Sequence, residues 1–584
     1  MEEDLRKAFD NAEKIGVIGS PSSTGQLTTD ILGTAVNKCL VGSLSVFNFS
    51  QDSCDHYALG QITEIVMQNI WSQDPTIRGL IRQKGRIDPI TERQDTHLAR
   101  MTVSSVFARR SVAIEQSMLG TVPSTGTSIK ILNEDIMHSL LANYSRQLFY
   151  LGMAYGNNIR MPMWFKHFGR DGEGAGEAYH IGVFGKTGSG KSVLAKMIMT
   201  AYSRHKQMAI FVLDPQGEFA KDLRENSALK SVLQSKLSRS VKVYDLHSLV
   251  LTGDDLFKRI LINSGFLNSL GIYLETNRMQ AANEIEAILK AKGVHANLGP
   301  EIPPFSAFTR QAFDRVWGAL QTDHVLSRIY TMSDLRQRVR TSIEGADQDE
   351  YYHMWVRIAN LFRFEGKEKT KIKDLVAKIH DKDRDKQDIV VIDLSERNIP
   401  EDILWNDMMK LVLIGEFLAK ITQKAEEVFK KDELLNCLVI IDEAHRLAPK
   451  DKTENEDLER VKGILVDAVR TTRKFGLGWL FISQTLSSLS RDILDQIRIY
   501  VFGFGLGWGI ERLALQEIIG GQREAMKLYQ LFRDPQSSLT KVEYPFMTVG
   551  PISPLSFSGT PLFFTAMKYP EDFVKANFGA EDGK

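Results

Sequence analysis

The sequence predicts an α/β fold: a mainly parallel sheet flanked by helices, interrupted by a helical insertion and preceded by a small β-barrel. Three observations predict it. From residue 181 onward, short unbroken apolar runs recur at 181–184, 208–213, 389–394, 437–441, 477–482 and 499–504, separated by helical stretches. Strands that are apolar on both faces are what a parallel sheet covered by helices on both sides requires. Between about residues 15 and 167 the texture differs: "IGVIGS", "VGSLSVFNF", "ALGQITEIVMQN" and "TVSSVFARRSVAI" are strand-like runs broken by Gly, Pro and Ser, the pattern of a small barrel or sandwich. Residues 218–387 read as largely helical, as in "NRMQAANEIEAILKAKG" and "SDLRQRVRTSI".

These textures divide the chain. A short amphipathic helix and the barrel take 1–170, with the Gly-rich "GRDGEGAGEAYH" at 169–180 as the boundary. The α/β core takes 171–560, with its insertion at about 218–387. Residues 561–584 close the chain as a strap that follows a Pro-, Gly- and aromatic-rich stretch.

Composition sets bounds. Of 584 residues, 43% are hydrophobic and 25% charged, and the formal net charge is zero, so any nucleic-acid contact must come from a local basic surface. The opening "MEEDLRKAFDNAEKIG" holds no apolar signal core, and no run of about 20 apolar residues follows. Cys39, Cys54 and Cys437 form no metal-spaced pair. A cytoplasmic protein with reduced thiols and no membrane association is expected.

Chemistry enters after the run at 181–184. "FGKTGSGKSVLAK" matches G-x-x-x-x-G-K-[ST] at Gly185, Gly190, Lys191 and Ser192. The glycines let backbone N–H groups curl around a phosphate chain, and the following helix aims its positive end at the same place. The nucleotide seat is therefore Gly185, Lys186, Thr187, Gly188, Ser189, Gly190, Lys191, Ser192 and Val193. Lys191 is placed to reach the β- and γ-phosphates of ATP and Ser192 to hold Mg²⁺. "CLVIIDEAHRL" supplies acids at the end of an apolar strand: Asp442 for Mg²⁺, and Glu443 to polarise the attacking water. Strand, phosphate loop and acid pair together predict a RecA-like P-loop ATPase core.

"DAVRTTRKFGLGWLFISQT" adds a polar helix end, a Gly turn and a further strand ending in Ser483 and Gln484. Gln484 suits a γ-phosphate sensor. Arg470 and Arg473 lie three apart on the preceding helix, hence on one face. A cation delivered from a neighbouring subunit would make hydrolysis depend on assembly; Arg473 is the first choice and Arg470 the alternative. Asp214, Glu218 and Asp393 also follow strands, where they either line the site or cap local structure. His445 reads as a helix-start residue beside the site.

The segments "IGVFGKTGSGKS", "FVLDPQGEF", "VVIDLSE", "LVIIDEAHRLAP", "RKFGLGWLFISQ" and "GPISPLSFSGTPLFF", in this order and spacing, resemble HerA of the HerA–FtsK superfamily, and "ALGQITEIV" resembles its leading HAS-barrel. The resemblance implies a homohexameric ATPase that threads double-stranded DNA as a translocase or helicase. It further implies an effector partner, a nuclease or a sirtuin-like NADase, in DNA-end processing or antiviral defence. It assigns Arg473 the trans-acting role, although the family's usual Gly-Arg-Lys is here Thr472-Arg473-Lys474. The alternative is a ring scaffold in which ATP switches an effector on without processive translocation. The basic segments "KFGLGW" and "RQKGR" are the candidates for DNA contact.

Overall fold

The computed structural model describes residues 2–85, 94–110, 113–224, 227–364, 369–380, 385–396, 399, 401–537, 539, 542–556 and 559–579. A helix at Glu2–Asn11 leads into seven strands: β1 (Lys14–Ile18), β2 (Leu27–Ile31), β3 (Leu44–Gln51), β4 (Cys54–Gln68), β5 (Thr96–Arg110), β6 (Ala113–Ser117) and β7 (Ser128–Ile131). Their order is β2-β1-β7-β3-β4-β5-β6, and β2 also pairs with β5, so six strands close into a ring with β6 outside it. Ile15, Leu27, Phe47, Ile62, Met101 and Ile129 fill the interior. On β3, β4 and β5 the outward side chains Leu44, Val46, Tyr57, Leu59 and Phe107 are apolar too and join the core shared with the large sheet.

The remaining strands are β8 (Leu148–Ala154), β9 (Arg160–Trp164), β10 (Ile181–Phe184), β11 (Ala209–Asp214), β12 (Val241–Tyr244), β13 (Leu249–Val250), β14 (Thr370–Lys371), β15 (Ile389–Asp393), β16 (Cys437–Ile441), β17 (Leu477–Ser483), β18 (Ile499–Phe502), β19 (Pro545–Val549) and β20 (Leu562–Ala566). All but β13 and β14 form one eleven-stranded sheet in the order β12-β15-β11-β16-β17-β10-β18-β19-β20-β8-β9. From β12 to β18 the pairings are parallel. From β18 to β9 they are antiparallel.

Two parts of the sheet lie outside the spans read from sequence. β8 and β9 fall within 1–170, yet β8 hydrogen-bonds to β20 and β9 to β8. The six-stranded ring is already closed and leaves only the short β6 at its margin, whereas the antiparallel end of the large sheet offers an edge. The stretch read as a strap likewise enters the sheet through β20, where Phe563 packs into one face and Phe564 into the other. Residues 580–584 of that strap lie outside the described residues.

The insertion is helical, with helices such as Asp254–Asn263, Glu275–Leu289, Arg310–Leu320 and Gln348–Ala359, though β12 within it adds an edge to the main sheet. Its core, around Phe257, Phe313 and Trp355, continues into that of the parallel strands through Phe211 and Phe417. Trp355 is fully buried and its indole N–H donates to the Ala307 carbonyl at 2.7 Å. Among the described residues no helix is long and apolar enough to cross a membrane.

Barrel and sheet are joined by a side-chain amide. The buried Gln61 on β4 donates from Nε2 to the Phe563 carbonyl at 3.1 Å and accepts from the Phe563 N–H at 3.0 Å on Oε1. Beside it, Lys527 meets Glu64 at 2.9 Å and Arg100 meets Glu524 at 3.2 Å. These exposed pairs contribute little, because water and salt screen them. Gln61→Leu leaves the Phe563 N–H buried and unpaired, while the Phe563 carbonyl keeps the Tyr155 N–H at 2.9 Å, so it should cost about 1–3 kcal/mol. The check is a lowered urea midpoint and earlier proteolytic release of the barrel; an unchanged midpoint would refute the joint.

Candidate functional site

Three adjacent parallel strands converge their carboxyl ends. β10 leads into the phosphate loop, β17 lies beside it and ends at Ser483, and β16 lies beyond and ends at Ile441. All three are buried along their whole length. The loops after them are thereby held together, where ligands of open α/β sheets bind.

After β10 the loop runs to Gly190, which sits at φ +86 and starts the helix Lys191–Ser203 without a side-chain cap. The first-turn N–H groups therefore remain available to an anion. Lys191 folds back, its ammonium donating to the Lys186 carbonyl at 3.0 Å. Burial lowers its pKa, opposed by Glu443 and Asp442 nearby.

Asp442 is 4% exposed and Glu443 6%. Burial, with Glu443 and Asp214 adding like charge, pushes the Asp442 carboxyl up to about 7. A cation beside it would reverse that cost. Among the described residues no cluster of three or more His, Cys, Asp or Glu could hold a metal ion. A hard cation at Asp442 would thus take its other oxygens from Ser192, phosphate and water. Glu443 has φ +52 and ψ +41, left-handed backbone that is costly for a residue with a side chain. Such strain persists where surrounding packing imposes it. Glu443 Oε1 accepts from Gln484 Nε2 at 2.7 Å, while Oε2 is buried without a hydrogen-bond partner. Gln484 Oε1 in turn accepts from Thr187 Oγ1 at 3.1 Å. Phosphate loop, strand end and acid pair are therefore one hydrogen-bonded chain.

Arg473 stands elsewhere. It opens the short turn Arg473–Phe475 after the helix Glu456–Thr472, before β17. β17 has seven residues, so at about 3.3 Å per residue Arg473 lies roughly 20 Å from Gln484. Its side chain is 53% exposed and faces Glu177 at 3.3 Å. Arg470, also half exposed, donates to Asp492 at 2.6 Å. Buried contacts hold the helix that carries them. The indole N–H of Trp479 donates to Thr472 Oγ1 at 3.0 Å, and His180 Nε2 donates to the Val469 carbonyl at 2.9 Å. Burial lowers His180 to about 4, so it stays neutral.

Asp214 and Asp393 serve local structure. Asp214 accepts from the backbone of Gly217, Glu218 and Ala220 at 2.9, 3.2 and 2.8 Å. Asp393 accepts from Arg224 at 2.5 Å and the Ser395 N–H at 3.0 Å. His445 Nδ1 lies 3.2 Å from Ser483 Oγ. Of "KFGLGW", Leu477, Gly478 and Trp479 are buried in β17; the Arg86 that ends "RQKGR" lies outside the described residues.

Sequence reasoning missed two residues at the loop. A Cβ at Gly190 would lie 2.6 Å from the Tyr544 ring, and one at Gly188 2.2 Å from Gln536 Nε2. Gln536 and Tyr544, the latter just before β19, thus rest against the phosphate loop, a contact between distant parts of the sequence. No periodicity marks it; the aromatic before "PFMTVG" is the only trace.

Residues 178–421 match the family model for the central domain of helicase HerA. No curated protein matches the chain. Among solved structures, VirB4 of Thermoanaerobacter pseudethanolicus is 14% identical over 73% of this chain and 97% of its own, with a TM-score of 0.39. The bacterial conjugative coupling protein TrwB is 12% identical over 70% and 87%, with a TM-score of 0.36. The genome packaging NTPase B204 of Sulfolobus turreted icosahedral virus 2, in complex with AMPPCP, is 11% identical over 67% and 98%, with a TM-score of 0.28.

The raised Asp442 pKa makes a stability prediction. The folded value, about 7, exceeds the ordinary 3.8, so the folded state holds the proton more tightly. Stability from this group is full below pH 4 and is lost as pH rises to about 7. Asp442→Asn carries no such charge. Without nucleotide or divalent cation it should gain on the native chain between pH 4 and 7, by on the order of 2–4 kcal/mol. Urea midpoints across that range would check it; parallel curves would contradict it.

Proposed function

We propose that this chain, whose residues 178–421 match the HerA central domain, is an ATPase motor of the HerA–FtsK superfamily that works as a homohexamer and drives double-stranded DNA through its pore. One observation carries the reading: Lys191, Asp442, Glu443 and Gln484 converge at the ends of three adjacent parallel strands, with Gln484 bonded to Glu443.

The loop from Gly185 to Val193 cradles the phosphates of ATP, and Lys191 places its charge at the β- and γ-phosphates. Ser192 and Asp442 would hold Mg²⁺, which offsets phosphate charge when bound. Glu443 orients a water and accepts its proton as the water oxygen bonds to the γ-phosphorus. The bond from that phosphorus to the β–γ bridging oxygen breaks, leaving ADP and inorganic phosphate. The Oε2 of Glu443, which accepts no hydrogen bond and lies 3.5 Å from His445 Nδ1, supports its role as the proton acceptor. Gln484 senses the γ-phosphate.

Arg473, roughly a strand length from its own site, acts on the site of an adjacent subunit. Its exposure supports this. The barrel is the docking collar for an effector, a nuclease or a sirtuin-like NADase. Exposed Met67 at the end of β4 and Ile70 and Trp71 just after it support that part.

Lys191→Ala should abolish ATP turnover. Arg473→Ala should lower it about 10³-fold or more while nucleotide affinity stays near native; native turnover in that variant would remove the trans-acting role. Double-stranded DNA should stimulate the native ATPase severalfold. A flat response to DNA would favour the ATP-switched scaffold over the motor.

A further inference from the structure

The amide of Gln484 has two donors and one acceptor oxygen. A carboxylate only accepts, so Nε2 must face Glu443 Oε1, as it does at 2.7 Å. Oε1 then faces the phosphate loop, where the Thr187 hydroxyl donates to it at 3.1 Å. Among the described residues the second N–H of the amide has no acceptor. Thr187 is exposed and Gln484 half-buried. The amide is therefore held at both ends, by the acid that faces water and by the loop that grips phosphate, with one donor left over.

We propose that Thr187 is a positioning residue for hydrolysis: its hydroxyl fixes the Gln484 amide so that one N–H holds Glu443 and the other is presented to the γ-phosphate. The inference rests on the ATPase reading above and assigns a side-chain role to a loop position otherwise expected to act through its backbone. Without the hydroxyl, Oε1 loses its partner and the amide turns freely, so Glu443 and the phosphate donor lose their common orientation. Binding is spared, because the backbone N–H groups and Lys191 grip the phosphates.

The test uses the full chain with ATP, Mg²⁺ and double-stranded DNA. Thr187→Val keeps the shape and removes the hydroxyl. Its kcat should fall about tenfold, the rate equivalent of one lost hydrogen bond, with KM and nucleotide Kd unchanged. Thr187→Ser should restore kcat. Because Thr187 acts through Gln484, the double variant Thr187→Val/Gln484→Ala should be no slower than Gln484→Ala alone. A native kcat in Thr187→Val, a parallel loss of nucleotide affinity, a failure of Thr187→Ser to restore, or additive losses in the double variant would each overturn the inference. A native chain without turnover would overturn the ATPase reading itself, and this inference with it.

Discussion

Two neighbouring carboxylates, Asp442 and Glu443, sit buried at the end of an entirely apolar strand, and the rest of the site answers that placement. Charge in so dry a position is costly unless a cation or hydrogen-bond donor faces it. Lys191 supplies positive charge near both acids, itself partly desolvated, and Arg446 Nε lies 3.9 Å from Glu443 Oε2. Gln484 supplies the donor for Glu443. The strained backbone of Glu443 turns its side chain back toward that donor. Removing Lys191 or Gln484 would take away part of the compensation for the two buried acids.

The sheet makes this possible by its strand order. β17 is inserted between the strand that leads to the phosphate loop and the strand that leads to the acids. Its final residues therefore fall between the two halves of the site. The insertion leaves and rejoins the chain at the far edge, around β12 and β15, so its many helices extend the core without crowding the loop. At the opposite end, the antiparallel strands β18, β19 and β20 bring the chain back over the loop, and Tyr544 and Gln536 rest on its glycines. The same hairpin carries Phe563, the residue clamped by Gln61 of the barrel. Barrel and phosphate loop are thus linked through one short stretch of chain.

Parallel strands also give the molecule a polarity. The phosphate loop and the acid pair lie at their carboxyl ends, and Arg473, with Arg470 a turn before it, lies at the amino end of β17. No side chain spans that length, so a role for Arg473 in hydrolysis requires a second copy. The buried Trp479–Thr472 and His180–Val469 contacts fix the arginine-bearing helix rigidly to the sheet. The exposed Glu177 partner is weakly held and readily exchanged.

Much of this was legible in the sequence because it is local. The loop Gly185–Ser192, the acid pair after 437–441 and the apolar runs of the parallel strands are written in consecutive residues, and their chemistry needs only the element that follows or precedes them. Strand partners are not local. Periodicity announces that 148–154 and 562–566 are extended, but only tertiary packing decides that they pair with each other and not with the barrel or a strap. The same holds for Asp214 and Asp393, acids at strand ends like Asp442, which backbone N–H groups and Arg224 turn into local braces. Gln484 was visible as a polar strand end; that it bridges Thr187, 297 residues away, and Glu443, 41 residues away, depends on three segments meeting at the carboxyl ends of neighbouring strands. Residue type dictated which groups had the right chemistry, and the long-range order of hydrogen-bonded strands decided which of them met.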